Sequence, residues 1–337
     1  MPVFTRVIAD VDLRSEGRHV GWLRIPNSTN DSAWGTVAIP IIVVREGEGP
    51  TLLLTAGTHG DEYEGQIALS DLARTLRPQD IRGRVIIIPA LHLPACLAGK
   101  RLSPLDGRDL NRSFPGDAGG SFAQVLAHYL THVLLPEADV IIDIHSGGRS
   151  LDCLPSTMSH ILDDLTVMHR TVALARAFGA PFHVMNREVD GSRTFAATAE
   201  AQGVISLSSE LGGSNRVLLD GVEIARRGVR HAMIHLGLMR GEVRLESTPT
   251  RAMVIPSSGD YGFAPASGIY CPNVPLGSWV VAGDHLGAIY RIEDPLAEPV
   301  AVRASRDGMV WCQRGQGRID VGDSAAVVVS DWSEERM

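Results

Sequence analysis

The chain has 337 residues, which is long for a single domain and favours one large unit joined to a smaller one. Apolar residues make up 44% and charged residues 21%, and the formal net charge of −8 argues against a nucleic-acid partner. Lys100 is the only lysine and has no glycine-rich phosphate loop around it. Schiff-base and P-loop mechanisms, which both need a placed lysine, are therefore disfavoured.

Cysteine usage and hydropathy indicate the cellular setting. The four cysteines form no CxxC pair, which is typical of free thiols in a reducing compartment. The sequence opens without a charged-then-apolar leader, and no apolar run approaches about 18 residues. We therefore expect a cytoplasmic protein that contacts no membrane.

Strands and helices alternate along most of the chain. Apolar runs typical of strands occupy residues 36–44, 51–55, 84–90, 139–145 and 203–210. Apolar residues at helical spacing occupy residues 62–77, 121–135, 165–179 and 220–238. Asp220 is the expected N-cap of the last helix, and residues 91–119, rich in Pro, Gly and Asp, are expected to form a long functional loop. The alternation predicts an α/β fold with a mainly parallel mixed sheet flanked by helices.

The pattern changes after about residue 245 to short β runs between Gly, Pro and Asp turns. We predict a catalytic α/β domain over 1–245 and a small all-β domain over 246–337. The paired stretches VVAGDHLG and IDVGDSAAV resemble the barrel-sandwich fold of lipoyl and biotinyl carrier domains. Because this segment has no lysine, it cannot carry a swinging cofactor. A packing or lid role is expected instead, and the unit could form a homo-oligomer interface.

Three predicted strands deliver a polar residue at their carboxyl ends, namely His59, His145 and Glu210. In an open parallel sheet these ends meet at one edge, where binding sites form. His59 and Glu62 are three residues apart and point the same way in a helix or tight turn. With His145 they make a His₂Glu set, which suits a catalytic zinc because it leaves a fourth position for water.

The same residues also allow interpretations that involve no metal. A single HxxE is common by chance, and a histidine at a strand end is more often a satisfied polar residue than a ligand. The coincidence of three strand ends favours a metal site. Glu210 would then act as general base and acid, the alternative being a glutamate that stabilises a helix N-terminus. Asp61 and Glu64 fall on other faces and are expected to be solvated or to lie behind the ligands.

The long loop carries SPLDGRDLNRSFPG, in which Asn111 and Arg112 are adjacent. The planar guanidinium of an arginine matches a carboxylate with two hydrogen bonds. The pair could therefore grip a substrate carboxylate. The alternative is that an arginine of this loop closes it through Asp106 or Asp109.

The stretches GTHGDEYEG, DLNRSFPG, DIHSGG and SSELGG, in that order, resemble the succinylglutamate desuccinylase/aspartoacylase branch of the zinc carboxypeptidase-like enzymes. The resemblance covers roughly residues 35–330, including the C-terminal β unit. It implies one zinc per subunit, held by His59, Glu62 and His145, with Glu210 as base and acid. It also implies that Asn111 and Arg112 bind a substrate carboxylate, and that an upstream arginine, Arg101 or Arg108, polarises the scissile carbonyl.

Within this family, the stretches DSAWGTVAIPI, SPLDGRDLNRSFPG and HSGGRSLD are most similar to deacetylases that act on Nα-acetyl-L-2,4-diaminobutyrate in ectoine catabolism. The resemblance implies a zinc-dependent amidohydrolase that removes acetyl from this small N-acyl amino acid. The alternatives are an aspartoacylase- or desuccinylase-like deacylase, or a catalytically silent binding protein of the same fold. The acidic residues that could contact the 4-amino group are Asp106, Asp152, Glu188 and Asp190.

Overall fold

The structure is a computed structural model that describes residues 3–187, 193–244 and 248–332. The first ten strands are β1 (Ile8–Ala9), β2 (Gly17–Pro26), β3 (Thr36–Glu46), β4 (Thr51–Ala56), β5 (Gly83–Ile88), β6 (Val140–His145), β7 (Leu151–Cys153), β8 (Ser156–His160), β9 (Phe182–Asn186) and β10 (Ile205–Glu210). The later strands are β11 (Arg251–Ile255), β12 (Gly268–Pro272), β13 (Trp279–Val280), β14 (His285–Tyr290), β15 (Val300–Arg303), β16 (Gly308–Arg314), β17 (Arg318–Ile319) and β18 (Ala326–Asp331). The α-helices of these ranges are α1 (Tyr63–Thr75), α2 (Leu93–Ala98), α3 (Phe122–Tyr129), α4 (Leu165–Phe178), α5 (Phe195–Ala201) and α6 (Leu219–His235).

The centre of the large sheet is parallel. Strand β4 pairs in parallel with β5 and β6, and β6 pairs in parallel with β10. Antiparallel strands β3, β2 and β1 extend one side, and β8, β9 and β11 continue the other. The central parallel strands therefore end at one edge, and β6 and β10 bring His145 and Glu210 into register as direct neighbours. The predicted α/β fold is confirmed.

Helices cover both faces of this sheet, as the strand pattern requires. On β4, Leu52 and Leu54 belong to the core cluster formed with α1, α4 and α6. Leu53, which points to the opposite face, belongs to the cluster formed with α3 and α5. Because side chains alternate along a strand, a fully apolar run such as this one must be buried on both sides.

Some local predictions were wrong. Residues 91–119 contain helix α2 and a short 3₁₀ turn, Leu110–Arg112, so this stretch is not a continuous loop. The N-cap of α6 is Leu218, and Asp220 lies in the first helical turn. The α-helix predicted over 121–135 ends at Tyr129 and continues as a wider π-type turn to Leu134. Strands β8 and β9 were missed because each has only five residues, and β8 is also rich in polar residues.

The chain after residue 248 is β-structured, as predicted, apart from one 3₁₀ turn at Ser258–Tyr261. Strands β15, β14, β12 and β17 form a separate antiparallel sheet. Strand β11 pairs in parallel with β9, and β18 and β16 continue the large sheet from it. The boundary at 245/246 remains a prediction. Across the described parts of the chain, none of the helices is both long enough and apolar enough to cross a membrane.

Candidate metal centre and active-site cavity

His59, Glu62 and His145 converge at the carboxyl ends of the central strands. His59 and Glu62 lie in the connection from β4 to α1, where Glu62 is the N-cap residue, and His145 ends β6. All three are buried, and one ligand atom from each lies within 4.8 Å of the other two. The carboxylate of Glu62 lies between the rings, with Oε1 2.7 Å from His59 Nδ1 and Oε2 2.8 Å from His145 Nδ1.

The second nitrogen of each imidazole faces a carboxylate. His59 Nε2 lies 3.1 Å from Asp109 Oδ1, and His145 Nε2 lies 2.7 Å from Asp143 Oδ2. Carboxylates in this position fix the tautomer and the orientation of metal-binding histidines, so that both Nδ1 atoms face the same point. Asp143 is itself held by hydrogen bonds from the hydroxyls of Thr55 and Thr58.

The pKa values of these groups reflect their mutual contacts. Burial lowers the pKa of His145, but the nearby Asp143 and Glu62 outweigh it and raise that pKa well above 6.5. Burial raises the pKa of Glu62, but the charges of His59 and His145 outweigh it and hold this pKa well below its usual range. Two nitrogens and a carboxylate, buried and convergent, form a donor set that fits a divalent cation, which would replace the protons.

Glu210 lies beside the cluster, in the wall of a cavity of about 570 Å³ that the three candidate ligands also line. Its Oε2 is shielded from solvent and has no hydrogen-bond partner among the described residues. Burial and the charge of Glu62 raise the pKa of Glu210 to about 8, against the opposing charges of His145 and His59. No helix starts here, since α6 begins at Leu219, so the helix-terminus interpretation fails. A shielded oxygen without a protein partner points to a partner that enters the cavity.

The structure separates the two candidate arginines. Arg101 lines the cavity, and its guanidinium binds Asp109 Oδ2 at 2.9 Å and lies 3.8 Å from Glu62 Oε1. Arg108 is exposed and lies outside the set of cavity-lining residues. Of the two, only Arg101 is brought to the site in the described chain.

Asn111 and Arg112 line the same cavity. Asp109 caps their 3₁₀ turn, because its Oδ1 accepts a hydrogen bond from the backbone N–H of Asn111 at 2.8 Å. Asn111 Oδ1 accepts a hydrogen bond from the N–H of Phe195, the first residue of α5, at 2.8 Å. This bond engages the amide oxygen and leaves the NH₂ group of Asn111 as a donor for the cavity.

The other acidic candidates occupy different places. Asp61 and Glu64 are buried and not solvated: Asp61 accepts a hydrogen bond from Arg149 N–H, and Glu64 accepts one from the hydroxyl of Ser146. They tie loops together behind the ligands.

None of the acidic residues predicted to contact the substrate's 4-amino group is found in the described lining of the cavity. Asp106 accepts a hydrogen bond from Ala123 N–H and Asp152 pairs with Arg216, both outside the cavity lining. Glu188 and Asp190 lie outside the described residues.

Sequence reasoning missed several residues that the structure places at the site. Asp143 shares a strand face with His145, two residues away, and this i, i+2 spacing could have revealed it. Asp109 stands two residues before Asn111 in the same motif. Glu200 and His160 also line the cavity, and neither belongs to a recognisable motif.

Residues 48–236 match the family described as succinylglutamate desuccinylase/aspartoacylase catalytic domain. The chain is 42% identical over 322 residues to N-alpha-acetyl-L-2,4-diaminobutyric acid deacetylase of Halomonas elongata, covering 96% of this chain and 94% of that protein. A crystal structure of succinylglutamate desuccinylase/aspartoacylase from Rhodobacter sphaeroides has a TM-score of 0.94 and 45% identity, covering 98% of this chain and 100% of that one.

The product-bound structure of the ectoine utilization protein EutE (DoeB) from Ruegeria pomeroyi has a TM-score of 0.93 and 38% identity. It covers 97% of this chain and 100% of that one. The similarities to these three proteins extend over both the α/β part and the C-terminal strands. The chain therefore belongs to the succinylglutamate desuccinylase/aspartoacylase family of amide hydrolases.

Proposed function

We propose that this chain is a zinc-dependent deacetylase that removes the acetyl group from the α-nitrogen of Nα-acetyl-L-2,4-diaminobutyrate. The observation that carries the proposal is the convergence of His59, Glu62 and His145 beside the shielded, unpartnered oxygen of Glu210. The Halomonas elongata protein that is 42% identical over 96% of this chain is named for that activity.

The metal would be held by Nδ1 of His59, Nδ1 of His145 and the carboxylate of Glu62. A zinc ion bound there supplies Lewis acidity and makes a water molecule acidic enough to act as a nucleophile near neutral pH. Asp109 and Asp143 keep both rings turned towards the ion. Buried imidazole ligands with carboxylates behind them are the usual construction of such sites.

Glu210 moves the proton. Its carboxylate accepts a proton from the attacking water, holds it as the tetrahedral intermediate forms, and donates it to the leaving α-nitrogen when the C–N bond breaks. Burial and the charge of Glu62 raise the pKa of Glu210 to about 8, which favours the protonated form that donates to the leaving nitrogen. The products are acetate and the free amino acid.

The remaining cavity residues orient the substrate. Arg101, held by Asp109, donates to the carbonyl oxygen as negative charge develops on it. Arg112 and the NH₂ group of Asn111 bind the free α-carboxylate, because both present N–H donors that match its oxygens. Binding energy from the carboxylate is thereby used to place the amide next to Glu210.

A substrate panel tests the proposal. Purified protein is stripped with a chelator, reloaded with zinc, and assayed for acyl release from Nα-acetyl-L-2,4-diaminobutyrate, N-acetyl-L-aspartate and N-succinyl-L-glutamate. We expect one zinc per chain and the highest kcat/KM for the diaminobutyrate compound. A higher kcat/KM for either acidic compound would support the other deacylase activities. Stoichiometric zinc without any hydrolysis would support a binding protein. Cytoplasmic location and homo-oligomer formation stay predictions, which fractionation and light scattering would test.

A further inference from the structure

We propose that Glu200, positioned by His160, binds the side-chain ammonium of the substrate and sets the preference for a diaminobutyrate side chain. The inference rests on the proposed function. It identifies the protein group that contacts the substrate's side chain, which the proposed function does not name. Glu200 lies on α5 and His160 on β8, and both line the active-site cavity. Glu200 Oε2 lies 2.7 Å from His160 Nδ1, with only 10% and 13% of the two side chains exposed.

The charges of the cavity wall single out Glu200. Among the described residues that line it, the other acidic side chains are Glu62, Asp143 and Glu210. In the proposed function, Glu62 holds the metal, Asp143 orients His145 and Glu210 moves the proton. A cationic substrate group entering the cavity also meets Arg101 and Arg112, so it needs a carboxylate to offset them. Among the described carboxylates of the cavity wall, Glu200 is the one without another role, and it can offset these positive charges.

The distance from the carboxylate-binding residues also fits. The hydrogen bond from Phe195 N–H to Asn111 places the start of α5 beside Asn111. Glu200 follows five residues later, about 7.5 Å along the axis at 1.5 Å per residue. In diaminobutyrate the carboxyl carbon and the ammonium nitrogen are four bonds apart, about 5 Å when extended. Adding a hydrogen bond of about 2.9 Å between the ammonium and Glu200 gives about 8 Å, which is close to the distance of about 7.5 Å along the helix.

The floor between the two ends is one face of β10 and β8. Ser206, Ser208 and Glu210 alternate along β10, and all three line the cavity. In the antiparallel pairing, Glu210 lies opposite Ser156, at the far end of β8 from His160. A substrate whose amide lies at Glu210 would therefore extend its side chain over the two serines towards His160 and Glu200.

The test compares two substrates that differ in one group. Nα-acetyl-L-norvaline carries a methyl group where Nα-acetyl-L-2,4-diaminobutyrate carries the ammonium. With zinc-loaded E200Q, kcat/KM for the diaminobutyrate compound should fall about 10- to 100-fold, mainly through KM. The value for the norvaline compound should change less than about threefold, because its methyl group makes no ionic contact. The matched control is Glu223→Gln on the exposed surface of α6, which should leave both values unchanged.

His160 acts through Glu200 and is a positioning residue. His160→Gln should raise KM for the diaminobutyrate compound with little change in kcat, whereas a general loss of structure would lower kcat for both compounds. If E200Q does not fold, E200D retains the charge on a shorter side chain and should lower the ratio of the two kcat/KM values.

Equal losses on both substrates in E200Q, or an unchanged ratio in E200D, would overturn the inference while leaving the proposed function in place. A wild-type enzyme that hydrolyses neither compound would overturn the proposed function, and the inference with it. Selective loss on the diaminobutyrate compound alone would support the inference.

Discussion

Replacing Glu210 with glutamine separates proton transfer from metal binding. Glutamine keeps the shape of the side chain but cannot accept a proton from water. Since general acid–base catalysis contributes about 10²- to 10⁴-fold, kcat should fall by that factor, which corresponds to about 3–5 kcal/mol of transition-state stabilisation. Glu210 is not one of the three clustered ligands, so the variant should still bind one zinc per chain.

The same substitution should change stability in a direction set by the pKa. Burial and the charge of Glu62 raise the pKa of Glu210 from 4.5 to about 8. Between these values the folded protein keeps a proton that the unfolded chain has released, so rising pH favours unfolding by about 1.4 kcal/mol per unit. The full interval gives an upper limit of about 5 kcal/mol.

Two measurements check these expectations, with Glu223→Gln as an exposed control. Urea unfolding in the presence of a chelator should show Glu210→Gln becoming more stable than the wild type as pH rises from 5 to 8. At pH 5 the two proteins should be nearly equal. Full turnover by the zinc-loaded variant would refute the base assignment. A stability difference independent of pH would refute the raised pKa, and loss of zinc would make Glu210 a ligand.

Three further predictions concern the surroundings of the ligands. Asp143→Asn should weaken zinc binding about 10- to 100-fold in a chelator competition, because it removes the charged partner of His145; equal affinity would contradict this. Gly65→Ala should cost about 1–3 kcal/mol in urea unfolding, since its Cβ would lie 2.7 Å from Ile144 Cβ, whereas Gly119→Ala, in ordinary contact only, should be neutral. Zinc binding should release protons and weaken from pH 8 to 6, because Asp143 and Glu62 outweigh burial and raise the pKa of His145; calorimetry in two buffers would detect this.

The strand ends of the site were predictable from the sequence because of burial. The run ending in His145 opens with three consecutive apolar residues, Val140 to Ile142, which is typical of a central parallel strand. In the run ending in Glu210, the apolar residues Ile205 and Leu207 alternate with serines. Neighbouring parallel strands bring their carboxyl ends together, so two distant residues could be placed side by side without coordinates. The structure pairs these two residues directly in register.

The choice between the arginines depended on a contact that local sequence does not encode. The N–H of Gly60 donates a hydrogen bond to the carbonyl of Lys100 at 2.9 Å, which places Arg101 next to His59. This bond joins residues forty positions apart, and the spacing of Arg101 and Arg108 within the motif gives no information about it. Tertiary structure alone decides which guanidinium reaches the cavity.

His160 and Glu200, which we propose to face the substrate's side chain, were missed in the sequence for a related reason. His160 lies on a short strand whose sequence, STMSH, lacks the apolar run by which buried strands are recognised. Glu200 lies on α5, a seven-residue helix that sequence periodicity does not reveal. In the sequence, both residues resemble ordinary exposed polar side chains. The packing of α5 against β10 and the contact of 2.7 Å between Glu200 Oε2 and His160 Nδ1 bring the two together at one cavity.

The carboxylate of Asp109 connects three parts of the site. Its carboxylate lies 3.1 Å from His59 Nε2, binds Arg101 at 2.9 Å and caps the turn that presents Asn111 at 2.8 Å. One side chain therefore orients a candidate metal ligand, holds the arginine proposed to polarise the carbonyl, and orders the turn proposed to bind the carboxylate. Because the three contacts share one carboxylate, a displacement of this loop would disturb metal geometry and substrate position together. The residues that follow α2 therefore need to be as well ordered as the strands that carry the ligands.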